Sequence, residues 1–421
     1  MKATSTINSL FSREDSKIVV YYVFLSIITV LLTRPDAGVG EFTRVLYSAA
    51  IFIPPLIKSK WLPFSVTVFL CVSMCSFSPL LPSKTFLIVI AALFVSIFHK
   101  KLSVYGIKAY IWLLLFYILI IDLFFFDFQE WIVYSLLLLV CFNGCIKDES
   151  DVKILALSFV FISVILSALF LLNFETFLVQ YSKEDDISRS GWINPNVFGG
   201  HLVIGVIAAF WLLRNLKDNK ISFLLLVASM VLTLLTLIMN ASRGAIIAVV
   251  LPLVIMTLFS KMKRGYKIAT LFAGLLFVVF SFTNGYYDLL MFRLSDDTLK
   301  TGGLRTTIWL QKFNEFNQEG VFDFVFGVGQ SGCKSLAQNG RTHNDFLTAL
   351  FAYGIIGLAL FVVTLFKPLF LRKNYRRVEI VAFYSVLFIE CFALEPFFRG
   401  YFIYYVFFLF ILKYLRFCTL K

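Results

Sequence analysis

The chain alternates long apolar runs with shorter polar connections over its whole length. Each run has roughly 17 to 24 residues, and about 20 apolar residues wound into a helix cross the roughly 30 Å hydrocarbon core of a bilayer. A backbone inside lipid finds no water, so it must satisfy its hydrogen bonds within the protein. The runs are therefore predicted to be membrane-crossing helices rather than loops or open strands.

About fourteen such runs are present, which predicts an all-α polytopic membrane protein with about 12 to 14 transmembrane helices. Hydrophobic residues make up 60% of the 421 residues, more than a soluble core of this length requires. No polar linker sets off a soluble domain, so we expect residues 1–421 to form a single integral membrane domain. The centres of the runs lie near residues 26, 51, 70, 92, 117, 138, 163, 206, 231, 252, 275, 355, 387 and 407.

Lysine and arginine outnumber aspartate and glutamate by 38 to 25, which gives a formal net charge of +13. Cytoplasmic loops of membrane proteins are enriched in lysine and arginine, and one orientation places most basic connections on that side. Both termini then lie in the cytoplasm as well. The charge thus follows from topology, and no nucleic-acid partner is expected. The basic residues concerned are Lys58, Lys60, Lys100, Lys101, Lys108, Arg214, Lys217, Lys220, Lys261, Lys263, Arg264, Lys267, Lys367, Arg372, Lys373, Arg376 and Arg377.

Two connections on the outer, periplasmic side are longer than the others: residues 175–196 and the larger loop 285–342. Long loops in compact proteins are more often functional than idle. The stretch "LRTTIWLQKFNEFNQ" in the larger loop has apolar residues at helical spacing, which predicts an amphipathic helix lying on the membrane face. The stripe consists of Leu304, Ile308, Leu310, Phe313 and Phe316.

A glycine-rich segment, "FGVGQSGCKSL", follows that helix, with Gly327, Gly329 and Gly332. Glycine permits tight turns that can point backbone N–H groups at a ligand. A turn without any ligand explains the same residues, so both interpretations stay open.

Four arginines fall on the predicted outer side: Arg189, Arg243, Arg305 and Arg341. Arg243 lies in a turn too short to reach far into water, and an arginine at the bilayer centre costs about 2.5–3.5 kcal/mol on insertion scales. It either extends along the lipid to the interface or has an anionic partner. A guanidinium binds phosphate oxygens through two parallel hydrogen bonds, so four around one cavity would suit a diphosphate.

The smaller outer loop ends in "SRSGWINPNVFGGH". Arg189 and Trp192 could contact a phosphate and a sugar face respectively. Pro195 between Asn194 and Asn196 indicates a turn, and Asn196 could instead cap a helix that begins at Val197.

His343 stands out among the three histidines, because it lies between the larger loop and an apolar helix, beside Arg341, Asn344 and Asp345. An imidazole has an ordinary pKa of about 6.5, so it can accept a proton at physiological pH. His99 and His201 are assigned structural roles.

No metal or other cofactor is expected. The acidic runs 184–186 and 296–297 have no nearby histidine, and the cysteine pairs spaced four residues apart have no histidine or carboxylate beside them. Solvated loops and helix packing explain these residues.

His343-Asn344, nine further residues and then Gly354-Ile355-Ile356-Gly357 fit the pattern H-[NSQ]-x9-G-x2-[GTY]. Together with Arg243-Gly244 and the segment Leu304-Arg305 to Trp309, this pattern resembles the O-antigen ligase/polymerase superfamily. The resemblance extends from about Trp192 to Gly357.

The resemblance implies a GT-C-like fold and an inverting, metal-independent glycosyltransferase whose donor is a glycan on undecaprenyl diphosphate. Arg243 and Arg305 would then hold the diphosphate leaving group, and His343 would act as the base or as a positioner for the acceptor hydroxyl. Substrate-binding roles fall to Arg189, Trp192, Asn194, Asn196, Arg341 and Asn344.

Three functions follow as alternatives. An O-antigen or capsule polymerase, favoured by "INPN" at 193–196 and by the spacing of Arg189 and Gly200, passes the glycan to a lipid-linked repeat. A ligase, favoured by the histidine pattern, passes it to the lipid A-core. A flippase for lipid-linked oligosaccharides is the third. The bacterial inner membrane, its lipids, the donor, the acceptor glycan and a chain-length regulator are the implied location and partners.

Overall fold

The computed structural model describes residues 13–33, 38–75, 85–104, 107–127, 130–174, 195–215, 220–240, 242–259, 305–336, 342–371, 374 and 377–420. This described part consists of sixteen α helices, one 3-10 helix and their connections, and it contains no strand. All structural statements below refer to these residues.

Seven helices form the first half of the chain. They are α1 (Arg13–Leu32), α2 (Glu41–Ile57), α3 (Leu62–Cys75), α4 (Thr85–Phe98), α5 (Ala109–Phe124), α6 (Glu130–Cys145) and α7 (Glu149–Leu172), with a 3-10 helix at Ser59–Trp61.

Nine helices form the second half. They are α8 (Pro195–Asn215), α9 (Lys220–Met239), α10 (Arg243–Leu258), α11 (Arg305–Phe316), α12 (Val321–Phe326), α13 (Gly329–Ser335), α14 (Asp345–Phe370), α15 (Val378–Ala393) and α16 (Phe402–Leu420).

The predicted fold class is confirmed. Each apolar centre named above lies inside a described helix except the one near residue 275, which falls outside the described residues. Five helices are long and apolar enough to cross a bilayer: 14–32, 149–172, 195–215, 221–239 and 345–370. Shorter apolar helices accompany them, among them α5 and α10 with 16 residues each.

The central helix of the bundle is α8, 89% of whose most apolar stretch is buried. It packs against α7, α9, α10 and α15. A Cβ added to Gly205 would lie 2.3 Å from Ser163 Cβ, so the glycine lets α7 and α8 approach closely. Helices in lipid gain no hydrophobic free energy when they associate, so small residues that allow close packing are common where they meet.

Peripheral helices carry apolar side chains on their outer surface. In α1, Val20, Phe24, Ile27 and Leu31 are 54 to 68% exposed and recur at helical spacing. An apolar stripe without protein cover belongs against lipid.

One end of the bundle collects basic residues with acidic partners. Lys60 contacts Asp15 at 2.8 Å, and both Lys60 and Lys413 lie within electrostatic range of Asp151. We refer to this end, defined by Asp15, Lys60, Asp151 and Lys413, as the basic end. Lys60, one of the basic residues expected on the cytoplasmic side, thus lies at the same end as Lys413 near the C-terminus.

Candidate functional site

The candidate site lies where the start of α14 meets residues 394–401, the connection between α15 and α16. Asp345, the first residue of α14, accepts backbone hydrogen bonds from Phe397 and Phe398, each at 3.1 Å. A carboxyl group that accepts two N–H groups at once holds the backbone that carries them. The connection is thereby fixed to the helix that follows His343.

The start of α10 reaches the same place from another side. A Cβ added to Gly244 would lie 3.3 Å from the Cβ of Ala393, the last residue of α15, so Arg243 begins its helix beside this connection. Arg305, the first residue of α11, lies within electrostatic range of Arg243 and Arg399. We refer to the group as the arginine cluster; its members are Arg243, Arg305, His343, Glu395 and Arg399.

The arginine cluster carries excess positive charge. Arg305 is partly buried, and this burial together with the charges of Arg243 and Arg399 lowers its pKa. Neighbouring positive charges lower the pKa of a guanidinium because they repel its protonated form. An anion close to Arg305 would reduce this repulsion.

His343 enters the cluster with an unusual backbone. Its φ is +51°, in the left-handed region that residues with a side chain rarely occupy, and Glu395 has a φ of +67°. Such conformations cost about 1–3 kcal/mol and concentrate at functional sites. Arg399 Nη2 lies 3.3 Å from His343 Nδ1.

Asn344 caps α14 directly after His343. Its Oδ1 accepts hydrogen bonds from the backbone N–H groups of Phe346 at 2.9 Å and Leu347 at 3.1 Å. Capping satisfies two donors that a helix start leaves open. Asn344 thus sets the direction in which His343 leaves the helix, while its predicted contact with substrate stays a prediction.

A chain of hydrogen bonds supports Arg399. Its Nε lies 3.3 Å from Glu395 Oε2 and its Nη1 lies 3.1 Å from the Tyr401 hydroxyl. Burial acts to lower the pKa of Arg399, but Tyr401 and Glu395 outweigh it and raise the pKa overall. Thr348 donates to the other oxygen of Glu395 and shares a hydrogen bond with Thr342.

Helix α11 reaches the cluster through Arg305, and the residues along it differ in exposure. The buried residues are Lys312 and Phe316, whereas Leu310 is 65% exposed. Lys312 Nζ donates to the carbonyl oxygens of Cys333 and, at 2.8 Å, Leu336. The ammonium turns inward because these carbonyls at the end of α13 need a donor. Leu304 lies outside the described residues.

The glycine-rich turn serves packing. Gly327 has a φ of +87°, and a Cβ there would lie 2.3 Å from the carbonyl carbon of Ala352 in α14. Gly354, where α14 kinks, has a φ of +66°, and its Cβ would lie 2.2 Å from the carbonyl oxygen of Val325. The Val328 N–H donates to the Phe351 carbonyl at 3.0 Å. Backbone thus meets backbone, which only glycine permits.

Asn196 does not cap α8, contrary to the alternative considered above. The helix begins at Pro195, whose fixed φ suits the first helical position, so Asn196 lies in the first turn. Its Oδ1 accepts a hydrogen bond from Ser242 Oγ at 2.9 Å, and Ser242 is the N-cap of α10. Asn196 therefore ties α8 to the residue before Arg243.

Several predicted residues fall outside the described part of the chain: Arg189, Trp192, Asn194 and Arg341, with loop segments 175–194, 285–304 and 337–341. Within the described part, no three His, Cys, Asp or Glu side chains are grouped so that they could hold a metal ion.

Sequence reasoning missed Arg399 and Glu395 as members of the site. The signal was available in "LEPFFRGYF", 394–402, where two opposite charges stand four residues apart between apolar runs. The same reasoning that singled out Arg243 in its short turn applies to Arg399.

Residues 228–362 match the family described as O-Antigen ligase. No curated protein matches the sequence. The matched residues include Arg243, Arg305, His343 and Gly354, and they end before Arg399. Over this part of the chain, the match confirms the predicted resemblance to the O-antigen ligase/polymerase superfamily.

Proposed function

We propose that the protein is an inverting, metal-independent membrane glycosyltransferase that polymerises oligosaccharide repeat units linked to undecaprenyl diphosphate. The observation that carries the proposal is the arginine cluster: three guanidiniums and one imidazole come together where α10, α11 and α14 begin, beside the connection 394–401. The match of residues 228–362 to the O-antigen ligase family supports this class of reaction.

Negative charge develops on the diphosphate during the proposed reaction, and the site must stabilise it. When the sugar leaves undecaprenyl diphosphate, the bond from the anomeric carbon to a phosphate oxygen breaks and its electron pair stays on the diphosphate. Preorganised cations at that position lower the barrier without reorganisation. Arg243 and Arg305 fit this role, because a bound diphosphate would relieve the repulsion between them.

The acceptor hydroxyl attacks the anomeric carbon from the face opposite the diphosphate, which inverts the configuration. His343 lies beside the arginines, and in this proposal it contacts the acceptor hydroxyl. Orientation of two substrates in one chamber supplies much of the rate enhancement in such reactions.

The donor's lipid reaches the site from the bilayer. An apolar groove of about 80 Å³ between α5, α6, α14 and α16 begins at Phe397 and Tyr405, beside the backbone that Asp345 holds. Its other walls include Leu114, Leu139 and Phe361. Its apolar lining suits a short part of a polyprenyl chain.

The proposal assigns the protein to the bacterial inner membrane with both termini in the cytoplasm. The basic end then lies inside, as lysine and arginine enrichment on that side predicts. Residues 285–342 and 175–196 form the periplasmic loops, and the arginine cluster faces the periplasm.

A ligase that transfers the glycan to the lipid A-core is the second candidate, favoured by the description of the matching family. A flippase is disfavoured, because transporters usually place charged sites near the bilayer midplane, whereas this cluster lies at helix ends.

The test is a transfer assay with purified protein and an undecaprenyl-diphosphate glycan. A lengthened lipid-linked product with a second repeat unit supports the polymerase, and transfer to lipid A-core supports the ligase. No transfer to either acceptor would overturn both. His343→Ala serves as the inactive control. Arg377→Ala serves as the active control, because Arg377 precedes α15 at the end of that helix that lies away from the arginine cluster.

A further inference from the structure

The contact between Arg399 and His343 defines which ring nitrogen carries hydrogen. Arg399 Nη2 lies 3.3 Å from His343 Nδ1. A guanidinium has five N–H donors and no acceptor, so Nδ1 must offer its lone pair. A neutral imidazole whose Nδ1 is an acceptor carries its proton on Nε2.

The guanidinium is held so that it cannot easily turn away. Its other nitrogens contact Glu395 Oε2 at 3.3 Å and the Tyr401 hydroxyl at 3.1 Å, and the side chain is only 11% exposed. Glu395 is itself held by Thr348. A partner that orients a catalytic imidazole through its second nitrogen is a recurrent device in enzymes.

The surroundings also oppose a second proton on His343. Among the described residues, Arg399 contacts His343, and Glu395 and Tyr401 from the connection 394–401 contact Arg399. Arg305 from α11 lies within electrostatic range of Arg399 and of Arg243 from α10. In the described part of the chain this is three cations against one carboxylate, and that carboxylate already pairs with Arg399. An imidazolium would add a fourth cation and turn an N–H against a guanidinium.

We propose that Arg399 is a positioning residue that holds His343 neutral with its hydrogen on Nε2, so that His343 donates a hydrogen bond to a substrate oxygen instead of accepting a proton. This rests on the proposed transferase function and decides between the base and positioner roles of His343. As the acceptor oxygen bonds to the anomeric carbon, the bond to the diphosphate oxygen breaks and its electron pair stays on the diphosphate. The hydroxyl proton passes to water on the acceptor's face of the sugar, opposite the diphosphate.

The first test needs no turnover. The chain has three histidines, so protein labelled with ¹⁵N-histidine gives few ring signals, and the His343→Gln variant assigns those of His343 by their disappearance. We expect an unprotonated Nδ1 and a protonated Nε2 through neutral pH. A protonated Nδ1 in the wild type would overturn the proposal.

Variants of Arg399 complete this test. Arg399→Met removes the donors and should mix the two tautomers and make His343 easier to protonate, whereas Arg399→Lys should keep the wild-type tautomer. Arg377→Met, which changes an arginine at the far end of α15, should leave the His343 signals unchanged. Unchanged tautomer and titration in Arg399→Met would contradict the inference.

The second test compares two replacements of His343 in the transfer assay. The amide nitrogen of glutamine can take the place of Nε2–H but cannot act as a base. We expect His343→Gln to be at least about tenfold more active than His343→Ala, because glutamine keeps an N–H donor and alanine does not. If His343 acted as a base, both variants would lose the proton-accepting group and would be equally inactive. Equal activities would overturn the positioner role. A wild type without transfer activity contradicts the proposed function and leaves the tautomer measurement standing.

Discussion

In the proposed function, Arg305 would bind the diphosphate at the expense of the stability of the folded protein. Its pKa is lowered by burial and by the neighbouring charges of Arg243 and Arg399, so the folded state without a ligand contains repulsion. Active sites commonly retain such groups because the ligand needs them, and stability is lost in exchange. The same geometry thus leads to opposite expectations for stability and for activity.

We expect Arg305→Met to unfold at a higher temperature than the wild type, by roughly 2 °C or more, because a neutral side chain removes the repulsion. Transfer should fall by about 10²–10³-fold, the usual loss when one charge-stabilising group is removed. Thermal unfolding in detergent and the transfer assay measure the two effects. A less stable variant would contradict the repulsion.

Arg243→Lys tests the geometry of the charge. An ammonium keeps the positive charge but lacks the planar fork that grips two phosphate oxygens, so transfer should decline by at least about tenfold. Membrane insertion should not change, and Arg377→Lys is the matched control at the other end of α15. Full activity in Arg243→Lys would assign this arginine to the lipid interface instead.

Among the elements, α14 and the loop helices α12 and α13 behave as one unit. The kink at Gly354 brings the backbone of α14 against that of α12, and the Tyr117 hydroxyl donates to the Tyr353 carbonyl at 2.9 Å beside the kink. The glycine in the histidine pattern therefore has a packing reason. Its loss would change the position of the loop above His343.

Gly354→Ala should abolish transfer while leaving the protein in the membrane, because a Cβ would collide with the Val325 carbonyl and the φ of +66° would be strained. Gly320→Ala is the control, since the nearest atom to its Cβ, Asp323 Oδ2, is 3.8 Å away. Transfer by purified protein is the measurement. Normal activity in Gly354→Ala would show that the loop can move without loss.

Lys312 holds the loop through its buried ammonium. Lys312→Met should loosen α11 from α13 at a cost of about 1–3 kcal/mol, because two carbonyl oxygens lose their donor. Limited proteolysis of the loop should become faster, whereas Lys334→Met, at an exposed lysine of α13, should not change it. Equal rates of proteolysis in the two variants would contradict the role of Lys312 in holding the loop.

For the whole molecule, orientation is the property to test. Glu319→Cys, exposed after α11, should react with an impermeant maleimide in intact cells, and Ser150→Cys, exposed at the basic end, should react only after lysis. The reverse pattern would place the arginine cluster in the cytoplasm and end the proposed function. The native cysteines are buried except Cys418, which is partly exposed.

Helix positions and part of the site could be predicted from the sequence because they depend on local patterns. Arg243 and His343 stood out at helix ends. The bond from Arg399 to His343 joins residues far apart in the chain, so no spacing rule reveals it. The burial of Lys312 could not be predicted either, because amphipathic patterns place lysine outside and its carbonyl partners belong to another helix.

Helix α10 begins at Arg243 and has only 16 residues, about 24 Å of rise, which is shorter than the roughly 30 Å hydrocarbon core. One way in which a bilayer accommodates a short helix is to become thinner around it. Headgroups beside α10 would then sit closer to the bilayer centre than beside the longer helices α7, α8 and α14. A lipid diphosphate diffusing in the leaflet would descend toward Arg243 as it arrives, so local membrane deformation would deliver the donor to its site.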